Sequence, residues 1–203
     1  MGVRQRRHHI RGLVGQFEEL EPVLPLTFIP LSIRKAERRD LETLRAFAER
    51  TFRDAWQAHE YNDPQDFEAY CREKFSAEGV LAEFGQPGTE FYLVCSEDHL
   101  AAYLKLNVGT APSHDWDGSP ALQLERIYVS EAFQGRRIGE QLLSFTENRA
   151  RETGAAWVWL SVWQEAPRSV AFYERNGFSI FGVETFWLGA DAQSDWLMRK
   201  RID

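Results

Sequence analysis

The sequence predicts an α/β (α+β) fold built on a single mixed, mostly antiparallel central sheet of about seven strands with helices on both faces. Three observations lead there. The chain has 203 residues, 43% of them hydrophobic, enough for one compact core and too few for two. Period-two apolar runs and 3.6-period stripes follow one another as strand, two or three helices, three strands, helix, strand, helix and two strands. No internal repeat or low-complexity segment interrupts that order, so one sheet must serve all the helices.

Each element has its own local cause. Ser32 to Ala36 reads as a short first strand, and Asp40 is placed to cap a helix whose Leu41, Leu44, Ala48, Phe52 and Ala55 form one stripe. Asp63-Pro64 opens a second helix to about Phe75, and Ser76 opens a third that ends near Gly85 and Pro87. Glu90 to Ser96 and Leu100 to Val108 are apolar and aromatic runs separated by Glu97-Asp98, a hairpin signature. Thr110 to Pro120 is rich in Pro, Ser, Asp and Gly and reads as a polar connection. Leu122 to Val129 is the next strand, followed by a glycine-bearing turn and a helix from about Arg137 to Thr153, stopped by Gly154. Trp157 to Val162 is a strand, Pro167 opens a helix, and Asn176-Gly177 closes it with a left-handed cap. Ser179 to Leu188 and Asp195 to Arg201 supply the last two strands, with Gly189 to Ser194 between them.

Composition excludes several classes of function. The longest apolar runs reach only strand length, well short of the ~20 residues of a membrane-spanning helix, and no secretory core is visible. The only two cysteines, Cys71 and Cys95, fall in a helix-like and a strand-like context, which suggests reduced core thiols in a cytoplasmic protein and no metal site. The formal charge is −7; because Arg4, Arg6, Arg7 and Arg11 fall in an acid-free head, the remainder carries −11. An acidic body disfavours nucleic acid as a partner and mildly favours a cationic one. Residues 1–30 lack apolar periodicity and are expected to be a flexible basic extension ahead of a domain spanning 31–203.

The chemistry is concentrated at the turn after the Leu122–Val129 strand. A strand, a glycine-bearing turn and a helix start form an anion trap, since the first backbone N–H groups lack helical acceptors and the helix dipole adds positive charge. Arg136 and Arg137 place two cations beside it, which favours a phosphate-bearing ligand, although Arg pairs at a helix start are usually solvated. By itself such a turn is common to any α/β protein. A dinucleotide-binding oxidoreductase is excluded by the glycine spacing and the antiparallel hairpin.

A second element gives the turn its context: Phe172-Tyr173-Glu174-Arg175-Asn176-Gly177-Phe178, after the strand ending at Val162. Together with Gln134-Gly135-Arg136-Arg137-Ile138-Gly139, the stretch from Leu124 to Phe178 resembles the cofactor half of the GCN5-related N-acetyltransferase (GNAT) family, whose loop reads Gln or Arg, x, x, Gly, x, Gly or Ala. Tyr103-Leu104-Lys105-Leu106-Asn107 and the tail from Gly189 to Met198 further resemble the PaiA-type branch, which acetylates spermidine-like polyamines. The likeness runs from about Leu31 to the end of the chain.

The resemblance implies the acyl-CoA N-acyltransferase fold, acetyl-CoA as co-substrate without a metal, and a small primary amine such as spermidine or spermine as acceptor. It implies that the pantetheine arm pairs with exposed backbone of Ile127, Tyr128 and Val129, and that the loop Gln134–Gly139 with Glu140 holds the pyrophosphate. Tyr173 takes the family's general-acid position, where a phenol with reference pKa ~10 stays protonated at neutral pH. Glu125 matches the place where relatives carry a carboxylate that deprotonates the amine; strand alternation puts it on the face of Ile127 and Val129. An ion pair with Arg126 is the competing reading of Glu125. The acceptor pocket is expected among Trp56, His59, Glu60, Tyr61, Trp163, Glu165 and Trp187, where rings and carboxylates suit an ammonium. Family members are often homodimers, although no interface is legible in the sequence.

Three departures stand out. Arg137 replaces the usual fourth-position glycine of the loop, and Ala166 replaces an asparagine that contacts the cofactor, with Ser169 where alanine is common. They motivate an alternative, a CoA-binding regulatory module with little or no turnover; transfer to a protein N-terminus or another small amine is a further alternative.

Overall fold

The computed structural model describes residues 30–112 and 116–203. The expected basic extension, but for Pro30, and the middle of the Thr110–Pro120 connection lie outside the described residues. Seven strands form one sheet: β1 (Ser32–Lys35), β2 (Thr89–Ser96), β3 (His99–Val108), β4 (Ala121–Val129), β5 (Trp157–Trp163), β6 (Ser179–Leu188) and β7 (Asp191–Arg201), in the order β1-β2-β3-β4-β5-β7-β6. Every neighbouring pair is antiparallel except β4 and β5. The expected mixed, mostly antiparallel sheet is therefore present with its predicted strand number.

Five α-helices cover the two faces: α1 (Leu41–Trp56), α2 (Pro64–Lys74), α3 (Ala77–Phe84), α4 (Ile138–Glu152) and α5 (Pro167–Arg175). On one face Leu142, Leu143 and Ala150 of α4 and Tyr173 of α5 pack on Leu104, Leu106, Leu122 and Leu124. On the other, Leu44 and Phe47 of α1, Phe67 and Cys71 of α2 and Val80 of α3 pack on Phe91, Leu93 and Tyr103. Within α1 the buried stripe is Leu44, Phe47, Ala48 and Thr51, while Ala55 is exposed. Burial raises the Cys71 thiol to about 11, which keeps it protonated and inert.

Side-chain caps start α2 and α3. Asp63 accepts from the N–H groups of Gln65 and Asp66, and Ser76 from Gly79. Asp40 behaves differently from its expected cap role. A 3-10 turn at Arg38–Asp40 precedes α1, and the Asp40 carboxylate accepts from the Glu37 N–H at 2.8 Å and from Arg34 at 2.7 and 2.8 Å. It ties the helix entry to β1 instead of capping α1.

Two further departures from the sequence reading shape the site. β7 begins at Asp191, four residues earlier than expected, because Leu188 pairs with Asp191 and leaves only Gly189-Ala190 as the turn. Gly189 has φ +63, and a Cβ there would lie 2.5 Å from the Asp66 carboxylate oxygen of α2, so only glycine fits. The polar run that reads as a loop is an alternating strand, with Ala192 and Ser194 outward and Gln193 and Asp195 buried. The other departure is a bulge in β4: Lys105 pairs with Arg126 and Leu106 with Leu124, so Glu125 has no partner of its own. A bulge turns two successive side chains to the same side.

Candidate active site

β4 and β5 pair only from Ala121–Gln123 to Trp157–Trp159. Beyond Gln123 they splay, so from Leu124 to Val129 the β4 backbone is bonded to β3 alone and presents an open edge. A cavity of about 400 Å³ fills the wedge. Its walls come from α1 and α2 (Phe52, Trp56, Tyr70), from β4 (Gln123 to Tyr128), from α5 (Ser169, Tyr173) and from the β6–β7 hairpin (Glu184, Phe186, Gln193, Asp195).

One wall is a charged network. Lys105, with its side chain 3% exposed, donates to Glu83 at 2.9 Å and to Glu125 at 2.8 Å. Arg126 makes two bonds to Glu83, at 2.9 and 3.0 Å, and lies 3.3 Å from Glu125. Lys74 reaches Glu83 at 2.5 Å, and Asn107 donates to Glu125 at 2.6 Å. Burial alone would raise Glu83, but Arg126, Lys105 and Lys74 outweigh it and hold the carboxyl at about 2. Glu125 is governed likewise: burial pushes it up, while Arg126, Lys105 and Asn107 bring it below the ordinary carboxylate range.

The bulge places Glu125 on the side of Lys105 and Arg126, whereas Ile127 and Val129 pack on the α4 face. The expectation from simple alternation that Glu125 shares their face is thereby corrected. The ion pair with Arg126 is real, and it is buried instead of lying on the surface.

The opposite wall is acidic, and no ion pair reaches its carboxylates among the described residues. Asp195 accepts from Ser161 Oγ at 2.6 Å through Oδ2, while its Oδ1 is buried and has no hydrogen-bond partner among the described residues. Burial, with Glu184 across the β6–β7 pair adding to it and Ser161 opposing, raises this carboxyl to about 6. Tyr173 is buried between Phe172 and Phe178, and burial raises its phenol well above the ordinary value, with Tyr128 adding a little. It therefore stays protonated throughout the neutral range.

The loop before α4 is built for left-handed backbone. Gly135 has φ +73 and Arg137 has φ +58, the conformation that a glycine would take at no steric cost. No side chain caps α4, so its leading N–H groups face outward beside Arg136 and Arg137. Arg136 lies over Phe133, and Arg137 approaches Glu140 at 4.0 Å. Gln134 donates to the Val129 carbonyl at 3.1 Å and ties the loop to the end of β4. Gly139 serves packing: a Cβ there would meet the Phe172 ring at 3.0 Å, so glycine lets α4 and α5 close on each other.

A family model described as the acetyltransferase (GNAT) family matches residues 41–178. The chain belongs to the GNAT family. It is 31% identical over 172 residues, 85% of its own length and 98% of the relative's, to an uncharacterised N-acetyltransferase from the pepI 3′ region of Lactobacillus delbrueckii subsp. lactis. It is 23% identical over 177 residues, again 85% of this chain and 98% of the relative, to a spermidine N(1)-acetyltransferase of Thermoplasma acidophilum. Among solved structures, the PaiA N-acetyltransferase of T. acidophilum in complex with coenzyme A superimposes with a TM-score of 0.65 at 22% identity, over 85% of this chain and 99% of that one. At that identity the likeness is one of fold. The protein is thus a GNAT N-acetyltransferase that uses acetyl-CoA as co-substrate.

The GNAT frame also sorts the residues expected from sequence. Tyr173, Glu125, Ile127 and Tyr128 all line the splayed cavity, and the Gln134–Glu140 stretch sits beyond the end of β4. The Tyr128 phenol accepts from Trp56 Nε1 at 3.0 Å and stacks on Tyr103. Of the expected acceptor residues, Trp56 and Trp163 line the cavity. His59 and Tyr61 pack against Trp163 behind it, with ring centroids 4.3 and 6.5 Å away. Glu60, Glu165 and Trp187 are exposed outside it, Trp187 by 60%, which corrects their placement in the pocket. Ala166 is buried at the N-cap of α5 and Ser169 faces the cavity. Sequence reasoning missed the whole β6–β7 wall, Glu184, Gln193 and Asp195, and the buried partners Glu83 and Lys105. The misplaced start of β7 hid Gln193, whereas Asp195 lay inside the expected strand and was passed over because the apolar run Trp196-Leu197-Met198 leaves its face undefined.

Proposed function

We propose that this N-acetyltransferase acetylates a primary amine of a small cationic acceptor, a polyamine of the spermidine or spermine kind, by direct attack on acetyl-CoA with Tyr173 as general acid. The observation that carries the reading is that one cavity brings together the open backbone edge of β4, a buried protonated phenol and two carboxylates, Glu184 and Asp195, that no ion pair engages among the described residues. The open edge at Ile127, Tyr128 and Val129 suits an extended pantetheine arm, which would pair with it as an added strand. The loop Gln134-Gly135-Arg136-Arg137-Ile138-Gly139, with the uncapped start of α4 at Glu140, suits a pyrophosphate. A backbone N–H of β4 would meet the oxyanion that develops on the acetyl group. As the C–S bond breaks, Tyr173 hands its proton to the departing thiolate. Trp56, Trp163 and Phe186 offer ring faces to an ammonium, and Glu184 and Asp195 offer charge. The likeness to a spermidine acetyltransferase supports the same acceptor class.

In this scheme Glu125 is an electrostatic support of the cleft wall. Its carboxylate is already occupied by Lys105 and Asn107, and an ammonium entering there would meet Lys105 and Arg126 first. Thiol release measured across polyamines, aminoglycosides, amino acids and peptides identifies the acceptor. Tyr173→Phe is expected to lower kcat on the order of 10²-fold with CoA affinity unchanged. Full turnover by that variant would rule out the phenol as the acid.

A further inference from the structure

The reaction must remove a proton from the acceptor, since an ammonium has no lone pair to attack with. We infer that Asp195 is the group on which that ammonium docks and to which it gives up its proton. The inference rests on the proposed amine acetylation and assigns its missing base.

The cleft contains three carboxylates, and their surroundings separate them. Glu125 lies between Lys105 and Arg126, with oxygens accepting at 2.6 to 2.8 Å. Glu184 on β6 is only partly buried and stands directly across the strand pair from Asp195. Asp195 is 7% exposed, and no ion pair reaches it among the described residues. Ser161 fixes its Oδ2 at 2.6 Å, which aims a rigid carboxylate whose Oδ1 has no donor among the described residues. A buried carboxylate with a vacant oxygen and no counter-cation is costly to the fold and suited to a cationic ligand. The three cations of the cavity region, Lys74, Lys105 and Arg126, are all engaged by Glu83 and Glu125.

The groups around Asp195 reinforce its basicity. Glu184 approaches from β6 and adds negative charge; Ser161 and Trp163 approach from β5. From β4 comes the Tyr128 phenol, already bonded to Trp56 of α1. Tyr173 of α5 shares the cavity, the His59 ring packs on Trp163, and Asp191 further along β7 is bonded to Gln193. A carboxyl raised to about 6 is a better matched base than one held below its ordinary value.

The proton account closes. The ammonium passes one proton to Asp195 Oδ1, and the freed lone pair forms the C–N bond at the acetyl carbon. The C–S bond breaks and the thiolate takes the Tyr173 proton. The tyrosinate recovers a proton from the new, still cationic nitrogen, and Asp195 returns its own to water. The products are the N-acetyl amine, free CoA thiol and one proton.

The test is the pH dependence of kcat/KM and kcat with spermidine for the full-length wild type, Asp195→Asn and Glu125→Gln, with CoA affinity measured by calorimetry for each. The wild type should lose activity below about pH 6. Asp195→Asn should lose on the order of 10²-fold or more in kcat, lack that acid limb and bind CoA as before, while Glu125→Gln keeps the limb. An Asp195→Asn enzyme that retains the limb, as it would if another group caused it, or that changes only KM, overturns the assignment. Should Asp195→Asn fail to bind CoA, Ser161→Ala decides: removing the Oδ2 donor must move the limb to higher pH, and an unmoved limb overturns the inference. A wild type silent toward every amine would instead remove the proposed acetylation and this assignment with it.

Discussion

The charged wall of the cleft makes a quantitative claim about Glu83. Its side chain is 9% exposed and receives Lys74, Lys105 and Arg126 at 2.5 to 3.0 Å. Glu83→Gln keeps the shape and removes the charge, leaving Lys105 and Arg126 to Glu125 alone and Lys74 without its carboxylate. The carboxyl is held at about 2 against an ordinary 4.5. At about 1.4 kcal/mol for each tenfold in proton affinity, that difference corresponds to ~3 kcal/mol of stability at neutral pH. Breaking a buried ion pair by removing one partner costs about 3–5 kcal/mol, so the two routes agree, and the amide oxygen of Gln keeps the loss near the lower figure.

The sign of the pH effect follows from the direction. A carboxyl lowered on folding stabilises the native state above its unfolded pKa and loses that contribution as pH falls through the folded one. The gap between wild type and Glu83→Gln should be full at pH 7, shrink below about 4.5 and nearly vanish near 2. Urea denaturation followed by tryptophan fluorescence at pH 7 and pH 3 reads both ends, and thermal melts should show a drop of roughly 6–12 °C at neutral pH. A gap under about 1 kcal/mol at pH 7, or one that persists unchanged at pH 3, would refute the view that Glu83 holds this wall together.

Two further outcomes are expected. Arg137 already occupies left-handed backbone, so Arg137→Gly should leave the loop geometry intact, relieve about 1 kcal/mol of strain and weaken CoA several-fold through loss of a cation beside the α4 start. Tighter CoA binding in a titration of that variant would mean that the guanidinium obstructs the phosphates. Asp195→Asn should be more stable than the wild type above pH 6, by ~3 kcal/mol, because an ionised carboxylate raised from 3.8 to about 6 works against folding there. That advantage should close below about pH 4, and equal stability of the two proteins in denaturant at pH 8 would contradict it.

The fold was legible because its determinants are local. Asp63-Pro64, Ser76, Pro167 and Gly177 act within a turn of where they stand, and periodicity reveals the order of the elements between them. The anion-binding turn and Tyr173 were legible for a related reason, since each belongs to a contiguous motif. Asp195 was not, because it opens the expected strand ahead of three consecutive apolar residues, Trp196, Leu197 and Met198, so alternation does not tell which face its carboxylate takes.

Glu125 shows the deeper limit. Its side-chain direction depends on a one-residue mismatch between β3 and β4, a property of two strands in register that neither strand's pattern contains. Without the bulge, alternation would send Glu125 to the face of Ile127 and Val129 and leave Lys105 with Glu83 alone. With it, Glu125 turns toward Lys105 and Arg126 and is neutralised there, and the cleft's unpaired negative charge passes to the β6–β7 hairpin. A single extra residue in a strand thus determines which carboxylate is free to meet a cation, and with it which residue the acid limb of the pH profile should report.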